Sequence, residues 1–406
     1  MKAIEIKPGI HWVGAIDWAI RDFHGYITPN GSTYNNYLIM DDEPTLVDTV
    51  KLDNLSASLD NIRSVTPLEK IRHMVVNHIE PDHASALGEV MELLGDVPIY
   101  CTEKARVGLA RMFDISRWTI KVVKTGDELK IGKKTLLFLE TPMLHWPDSM
   151  MTYVREDKLL ISQDAFGQHL ASAHRFDDEF VSCSSMEQLV DAVWDYYANI
   201  LMPFGTLIER KIREVMDLGL AIDMIAPDHG VIWRSNPGLV LKMYLDMARG
   251  MADERVAIIY DTMWHSTEKM VQPILEGVLA EGMDARVLKL RATPMSVATK
   301  EFWRARGCLI GSPTLNNTLL PSVGEFLYNL RGLRPRHRIV SAFGSYGWGG
   351  GGVKEVLRTA GETLKLKTVD PGIQVLYRPS SEDETLCHEF GRSFARATRE
   401  YHQEFK

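Results

Sequence analysis

Cysteine is scarce and scattered: the 406-residue chain has four, Cys101, Cys183, Cys308 and Cys387, and no pair is spaced as Cys-x-x-Cys. Nothing therefore signals a disulfide framework or an iron–thiolate site, and buried free thiols are expected. No run of about 18 apolar residues occurs, which excludes a membrane-spanning helix. The opening Met1-Lys2-Ala3-Ile4-Glu5-Ile6-Lys7-Pro8 is charged where an export signal needs apolar residues. The expected location is the cytoplasm. Lys/Arg-rich blocks are missing and the net charge is -8, so nucleic acid is not an expected partner.

The composition is that of a globular protein, 45% hydrophobic and 25% charged. The length exceeds one ordinary core, so two domains are expected, at residues 1–250 and 254–406. Up to about residue 250, short β runs alternate with turns: Tyr34 to Met40, Thr45 to Val50, Ile71 to Val76, Ile99 to Thr102, Thr135 to Glu140, Met151 to Val154 and Lys158 to Ser162 among them. Many strands with helices outside them predict two stacked sheets between helical layers. Met186 to Leu220 reads as helix, interrupted near Pro203 and Gly205. Met243 to Glu254 reads as a linker. From Arg255 onward strands and helices alternate (Val256 to Tyr260, Glu268 to Glu281, Asp284 to Lys289, Cys308 to Gly311, Arg338 to Phe343), which predicts a doubly wound parallel sheet with its loops at the carboxyl edge.

Straight after the apolar Met74-Val75-Val76 stand Asn77-His78-Ile79-Glu80-Pro81-Asp82-His83. Four metal-capable side chains, His78, Glu80, Asp82 and His83, thus fall within six residues at a strand end. Carboxylates between imidazoles suit iron or manganese better than a site built for zinc alone. Three distant partners also follow strands: His145, Asp164 and His229. Seven ligands are too many for one metal and suit two, with Asp164 as the natural carboxylate bridge. His11, His73, His169, His174, His337, His388 and His402 have no such setting and read as ordinary histidines.

In the second half, the strand ending at Tyr260 runs into Thr262-Met263-Trp264-His265-Ser266-Thr267, a hydroxyl-rich turn that opens a helix. Its N–H groups, hydroxyls and positive helix end suit one phosphate. Pro313-Thr314-Leu315-Asn316-Asn317 and Phe343-Gly344-Ser345-Tyr346-Gly347-Trp348 follow two further strands and would meet it at the same edge. There, glycines let backbone approach a flat ring and Tyr346 or Trp348 can cover its face. No Gly-x-Gly-x-x-Gly stands at the first βα turn of this half, so hydride is not expected to come directly from NAD(P)H.

These motifs, His78-x-Glu80-x-Asp82-His83, Leu144-His145-Trp146-Pro147-Asp148, Asp164-x-Phe166-Gly167, Pro227-Asp228-His229-Gly230 and the three later loops, closely resemble the flavodiiron proteins, or A-type flavoproteins. The likeness covers nearly the whole chain. It implies a metallo-β-lactamase-like αββα sandwich followed by a flavodoxin-like FMN domain. It also gives one iron His78, Glu80, His145 and Asp164, and the other Asp82, His83, Asp164 and His229. Zinc hydrolases of the same superfamily usually have His in place of Glu80, and flavodoxins usually have Gly in place of His265.

The activity implied is reduction of O2 to water or NO to N2O, with electrons entering at FMN and reaching the diiron pair; O2 is the expected preference, by likeness to the family's rubredoxin:oxygen oxidoreductases. The alternative is a dinuclear zinc hydrolase. By resemblance His24 and one of Tyr196 and Tyr197 serve protons or hydrogen bonds, and Trp146 contacts the flavin of a partner subunit. A head-to-tail homodimer, or a dimer of dimers, is implied. So is an external donor, a small rubredoxin or else a reduced deazaflavin.

Overall fold

The computed structural model describes residues 2–405, which divide into two compact units. One comprises the residues before Gly25 with Thr28–Tyr196 and Thr206–Leu245; the other comprises Gly25–Ile27, Tyr197–Gly205 and the residues from Asp246 on.

In the first unit a seven-stranded sheet runs in the order Ile4–Lys7, Ile10–Trp12, Tyr37–Ile39, Thr45–Val47, His73–Val75, Ile99–Cys101, Ile120–Val122. A five-stranded sheet runs Glu128–Lys130, Thr135–Glu140, Met150–Val154, Leu159–Gln163, Met224–Pro227. Alternation of side chains along each strand explains the layering. Trp12, Tyr37, Val47 and Val75 of one sheet share a buried cluster with Phe138, Val154 and Ile161 of the other. The opposite face of the first sheet, with Leu38, Leu46 and Met74, packs instead on Ile62, Val90 and Leu109 from the helices Leu55–Val65, Leu87–Leu94 and Glu103–Met112.

The second unit is built on a parallel sheet ordered Asp284–Lys289, Asp253–Tyr260, Ala305–Gly311, Ile339–Tyr346, Lys367–Thr368, with Ile373–Leu376 also paired to Ile339–Tyr346. The order 2-1-3-4-5 places its switch point beside the first strand, where ligands bind in doubly wound sheets. Buried side chains of Ser266–Ala280 and Ser381–Gln403 cover one face, and those of Met295–Arg304, Pro321–Leu333 and Gly352–Arg358 the other.

Two glycines fix the distance between the helices Ser266–Ala280 and Ser381–Gln403. A Cβ on Gly277 would fall on the carbonyl of His388, and one on Gly391 on the carbonyl of Ile274. Replacing either with Ala is expected to destabilise this unit by about 2–3 kcal/mol through overpacking. Chemical denaturation followed by circular dichroism measures the shift, and an unchanged midpoint would mean that the helices have room.

Two expectations change here. Met243 to Glu254 is no linker: Pro237–Ala248 is helix, with Tyr244, Met247 and Ala248 buried, and the strand Asp253–Tyr260 follows almost at once. The turn between them is held, since Gly250 O accepts from Arg306 Nη1 at 3.3 Å and from Arg338 Nη1 at 2.9 Å. Met186 to Leu220 is broken more elaborately than its Pro and Gly suggest. Met186–Tyr196 ends in a π turn, Tyr197–Leu201, then a 3-10 turn, Met202–Phe204, before the helix Gly205–Asp217. Among the described residues no helix is long and apolar enough to cross a membrane.

Candidate metal centre and flavin cavity

The strand His73–Val75 delivers the ligand loop, and Pro81 then starts the short helix Pro81–Ala84 that carries Asp82 and His83. Pro81 is suited to a first helical position, because its fixed φ and missing N–H cost nothing there. His145 lies between the strands Thr135–Glu140 and Met150–Val154, Asp164 directly follows Leu159–Gln163, and His229 lies just past Met224–Pro227. All seven predicted ligands meet in two groups, His78 with Glu80, His145 and Asp164, and Asp82 with His83 and His229.

Asp164 joins the groups. Its Oδ2 stands 3.2 Å from His78 Nε2 and 3.1 Å from His145 Nε2, while its Oδ1 stands 3.0 Å from His83 Nε2 and 3.3 Å from His229 Nε2. Glu80 Oε2 lies 3.4 Å from His78 Nε2 and 3.2 Å from His145 Nε2, and Asp82 Oδ2 lies 3.1 Å from both His83 Nε2 and His229 Nε2. Donors on one ion at about 2.0–2.2 Å stand roughly 3.0–3.4 Å apart, so the spacing fits a metal in each group. The hydrogen-bond inventory agrees. Asp82 Oδ2, His145 Nε2, Asp164 Oδ2 and His229 Nε2 are buried without a hydrogen-bond partner, although they face each other. Such convergence of orphaned atoms is costly unless a cation satisfies them.

The remaining imidazole nitrogens are anchored, which fixes ring orientation. His78 Nδ1 meets Asp148 Oδ2 at 3.0 Å, His229 Nδ1 donates to Thr33 O at 2.6 Å, and His83 Nδ1 lies 3.4 Å from Asp228 Oδ2. The sequence marks none of these as partners, and Asp148 and Asp228 stand in it only as neighbours of ligands.

Burial alone would push the His83 imidazole down, but Asp82 and Asp164 outweigh it and hold the group up at about 9. His78 and His229 are likewise held well above an ordinary imidazole, by Asp148, Asp164 and Glu80 for the first and Asp164 and Asp82 for the second, against burial. Burial would raise the Glu80 carboxyl, but His145 and His78 bring it down to about 2. A cation entering here must displace imidazole protons. Metal uptake by metal-free protein is therefore expected to release protons, and its apparent affinity to rise as pH increases toward 9, by up to about tenfold per unit for each proton displaced. Titration in weakly buffered solution checks this; a pH-independent affinity contradicts it.

His24 reaches the same cluster, its Nε2 3.3 Å from Glu80 Oε1. Of the tyrosine pair, Tyr196 falls in the first unit, its ring centroid 4.9 Å from His169 and 6.2 Å from His229; Tyr197 falls in the second unit. His169 is no ordinary histidine, contrary to expectation. It is fully enclosed, its ring 4.9 Å from that of His229 and 4.5 Å from Phe23, with Nδ1 2.9 Å from Ser32 Oγ. Burial, and then His229 and His24, hold it well below an ordinary imidazole. Its only sequence signal was its place five residues after Asp164. Trp146 packs edge-on to His78 at 5.3 Å.

In the second unit loops at the carboxyl edge of the sheet border an open cavity of ≈ 500 Å³. Thr262, Met263, Trp264, Ser266, Pro313, Thr314, Asn316, Asn317, Ser345, Tyr346, Gly347 and Trp348 line it as the sequence suggested, with Gly349 beside them, and Tyr377 and Arg378 line it unexpectedly. Tyr377 and Arg378 follow the short strand Ile373–Leu376, which had no clear sequence signature. His265, Thr267, Leu315, Phe343 and Gly344 are not lining residues. Phe343 is core, Thr267 is buried with Oγ1 3.0 Å from Ser345 Oγ, and Leu315 packs against the core. Gly344 lets two loops touch, since a Cβ there would fall on the carbonyl of Ser312. His265 caps the helix Ser266–Ala280 at φ 65, the left-handed region that Gly would adopt freely, and pairs with Glu268 at 2.5 Å. The open helix end, the buried and unpartnered Thr262 Oγ1 and the flanking aromatics fit a flavin phosphate and ring.

Comparisons with known proteins agree with this geometry. Residues 33–230 match the model of the ODP family beta lactamase, and residues 258–391 that of flavodoxin. A nitric oxide reductase of Moorella thermoacetica is 43% identical over 97% of this chain and 98% of its own length. An anaerobic nitric oxide reductase flavorubredoxin of Escherichia coli is 42% identical over 97% of this chain and 82% of its own. Among solved structures, the rubredoxin oxygen:oxidoreductase of Desulfovibrio gigas superposes with a TM-score of 0.94 at 37% identity, covering 98% of this chain and 99% of that one. A protein of Giardia intestinalis, described as flavodiiron, also gives 0.94, at 32% identity, covering 100% and 98%.

Proposed function

The chain belongs to the flavodiiron proteins, and from that premise we propose a residue-by-residue account of how it acts as an oxidoreductase. When bound, FMN and the non-haem diiron centre supply the redox chemistry, with electrons passing from flavin to iron and O2 or NO reduced there.

The observation that carries the account is the division of Asp164, one oxygen to each donor group. His78, Glu80, His145 and Asp164 would hold one iron, and Asp82, His83, Asp164 and His229 the other. Asp148, Asp228 and the Thr33 carbonyl orient the imidazoles. His24 positions the Glu80 carboxylate from 3.3 Å, and Tyr196 with His169 forms the wall behind His229. In the flavin unit, Ser266, Thr262 and the helix end would take the phosphate, while Tyr346, Trp348 and Trp264 would flank the ring. The hydrolase alternative is not favoured, since it gives the flavodoxin unit no purpose and Glu80 no reason.

Relatives at 42–43% identity are named nitric oxide reductases and the one at 37% an oxygen oxidoreductase. We therefore put NO first, ahead of the O2 preference expected from sequence. A small rubredoxin is the proposed donor, in keeping with the names of the Escherichia coli and Desulfovibrio gigas relatives. Trp264 is 86% and Trp348 95% exposed at the cavity mouth, and so much aromatic surface supports a head-to-tail homodimer in which a second chain, with its Trp146, covers the flavin. The four cysteines, all unpaired, suit a reducing cytoplasm.

Rapid mixing of fully reduced, loaded protein with NO and with O2 tests the substrate order through flavin absorbance. Faster reoxidation by NO is expected. Faster reoxidation by O2 reverses the order, and no reoxidation by either gas refutes the function.

A further inference from the structure

The outer face of the five-stranded sheet carries a second cavity, within the first unit. Leu144, Met151, Leu160, Phe166, Val215 and Met216 are among its lining residues. Met151 and Leu160 alternate with the inward-facing Met150, Leu159 and Ile161, so they must point to this side of the sheet. The facing wall is the helix Gly205–Asp217. Every lining side chain is apolar except Lys211, whose ammonium is drawn to Glu214 at 2.5 Å and leaves its methylene stem against the cavity. Its volume of ≈ 20 Å³ has room for little more than a water-sized molecule. An apolar lining offers water no hydrogen-bond partner, so a small apolar guest competes well for such a space.

Two residues of its wall are close neighbours of metal ligands along the chain. Leu144 immediately precedes His145, and Phe166 stands two residues past Asp164. Both backbones are tied down: Leu144 O accepts from Gln163 Nε2, and Phe166 O accepts from Gln168 Nε2 and Trp233 Nε1, each at 2.9 Å in the latter two cases. The Leu144 and Phe166 side chains, each 2% exposed, form the wall on this side, with the Phe166 ring 4.7 Å from that of Tyr244. At the other end Met216 is 57% exposed, which puts the mouth at the surface.

We propose that this cavity is a holding site for the uncharged diatomic substrate, NO or O2, on an apolar route from solvent to the metal cluster past Leu144 and Phe166. The assignment of substrate rests on the function proposed above. An apolar chamber concentrates such gases relative to water and rejects ions and polar solutes.

Val215 lines the chamber from the helix, away from every residue assigned to metal or flavin, and Val215→Trp would fill it. In the holoenzyme, xenon is expected to bind at this cavity, seen in pressurised crystals or by 129Xe NMR, and to be lost in V215W. The second-order rate of reoxidation of reduced V215W by NO and O2 is expected to fall about fivefold or more, with iron and FMN content unchanged. Val215→Ala, which enlarges the chamber, is expected to keep xenon and to react at least as fast as the parent. Absence of xenon from the parent protein overturns the proposal. So does a V215W protein that excludes xenon yet reacts at the parental rate. Xenon bound in a holoenzyme that reacts with neither gas would instead overturn the functional reading, and with it the identity of the occupant.

Discussion

Asp164→Asn is expected to cost the protein its metal pair: iron falls from about two per chain to about one or fewer, and consumption of NO and O2 falls to the level of metal-free protein. The substitution is nearly isosteric, so the loss would be electronic. One carboxylate oxygen faces His78 and His145 and the other faces His83 and His229, whereas an amide has a single acceptor oxygen and turns an N–H donor toward one group. The carboxylate is fully buried and held far below the usual range, because His83, His145, His229 and His78 outweigh the burial that would raise it. Losing one member of a buried charge network costs about 3–5 kcal/mol if the partners keep their charge. Here the imidazoles can shed protons, so the expected signature is lowered histidine pKa values in the metal-free variant, not unfolding. FMN content should stay at the parental level. Asp164→Asn protein that kept both irons and full turnover would remove the bridge from the account.

Ser266→Glu is expected to weaken FMN binding by roughly 30- to 150-fold, about 2–3 kcal/mol, while leaving iron content untouched. Ser266 is the first residue of the helix Ser266–Ala280 and lines the flavin cavity. A carboxylate there takes the place of the phosphate at the helix end and repels it, yet it suits the helix dipole, so the unit itself should remain folded. Fluorescence titration of FMN into flavin-free protein gives the affinity directly. An unchanged Kd would place the phosphate elsewhere in the cavity and leave the turn after Tyr260 as an ordinary helix cap.

These two sites differ in how far the sequence revealed them. The ligands were legible because each follows a strand, and strand ends of one sheet edge converge whatever the loops between them do. His78, Glu80, Asp82 and His83 also lie within six residues, so their proximity needed no tertiary knowledge. The groups behind them were not legible. Asp148 and Asp228 touch histidines 70 and 145 positions away, and no local pattern records such a pairing. His169 was dismissed because a lone histidine carries no signal, and only packing against Phe23, Tyr196 and His229 gives it a role.

The flavin loops show the same contrast. Thr262, Asn317 and Trp348 come from turns after recognisable strands, whereas Tyr377 and Arg378 follow a four-residue strand behind Pro371-Gly372 that periodicity could not find. Phe343 and Thr267 were read as lining because they sit in the right segments, but strand alternation and helix geometry turn their side chains inward. Met243 to Glu254 resembles a linker in sequence for a related reason. Arg249-Gly250 looks like a break, but the buried Tyr244 and Met247 carry helix up to it and Arg306 and Arg338 clamp it from behind.

The most direct test of the account is the metal and flavin content of protein purified without added metal, by elemental analysis and visible absorption. It predicts about two irons and one FMN per chain. Two zincs with no flavin would contradict it and return the chain to the hydrolases that share its first fold.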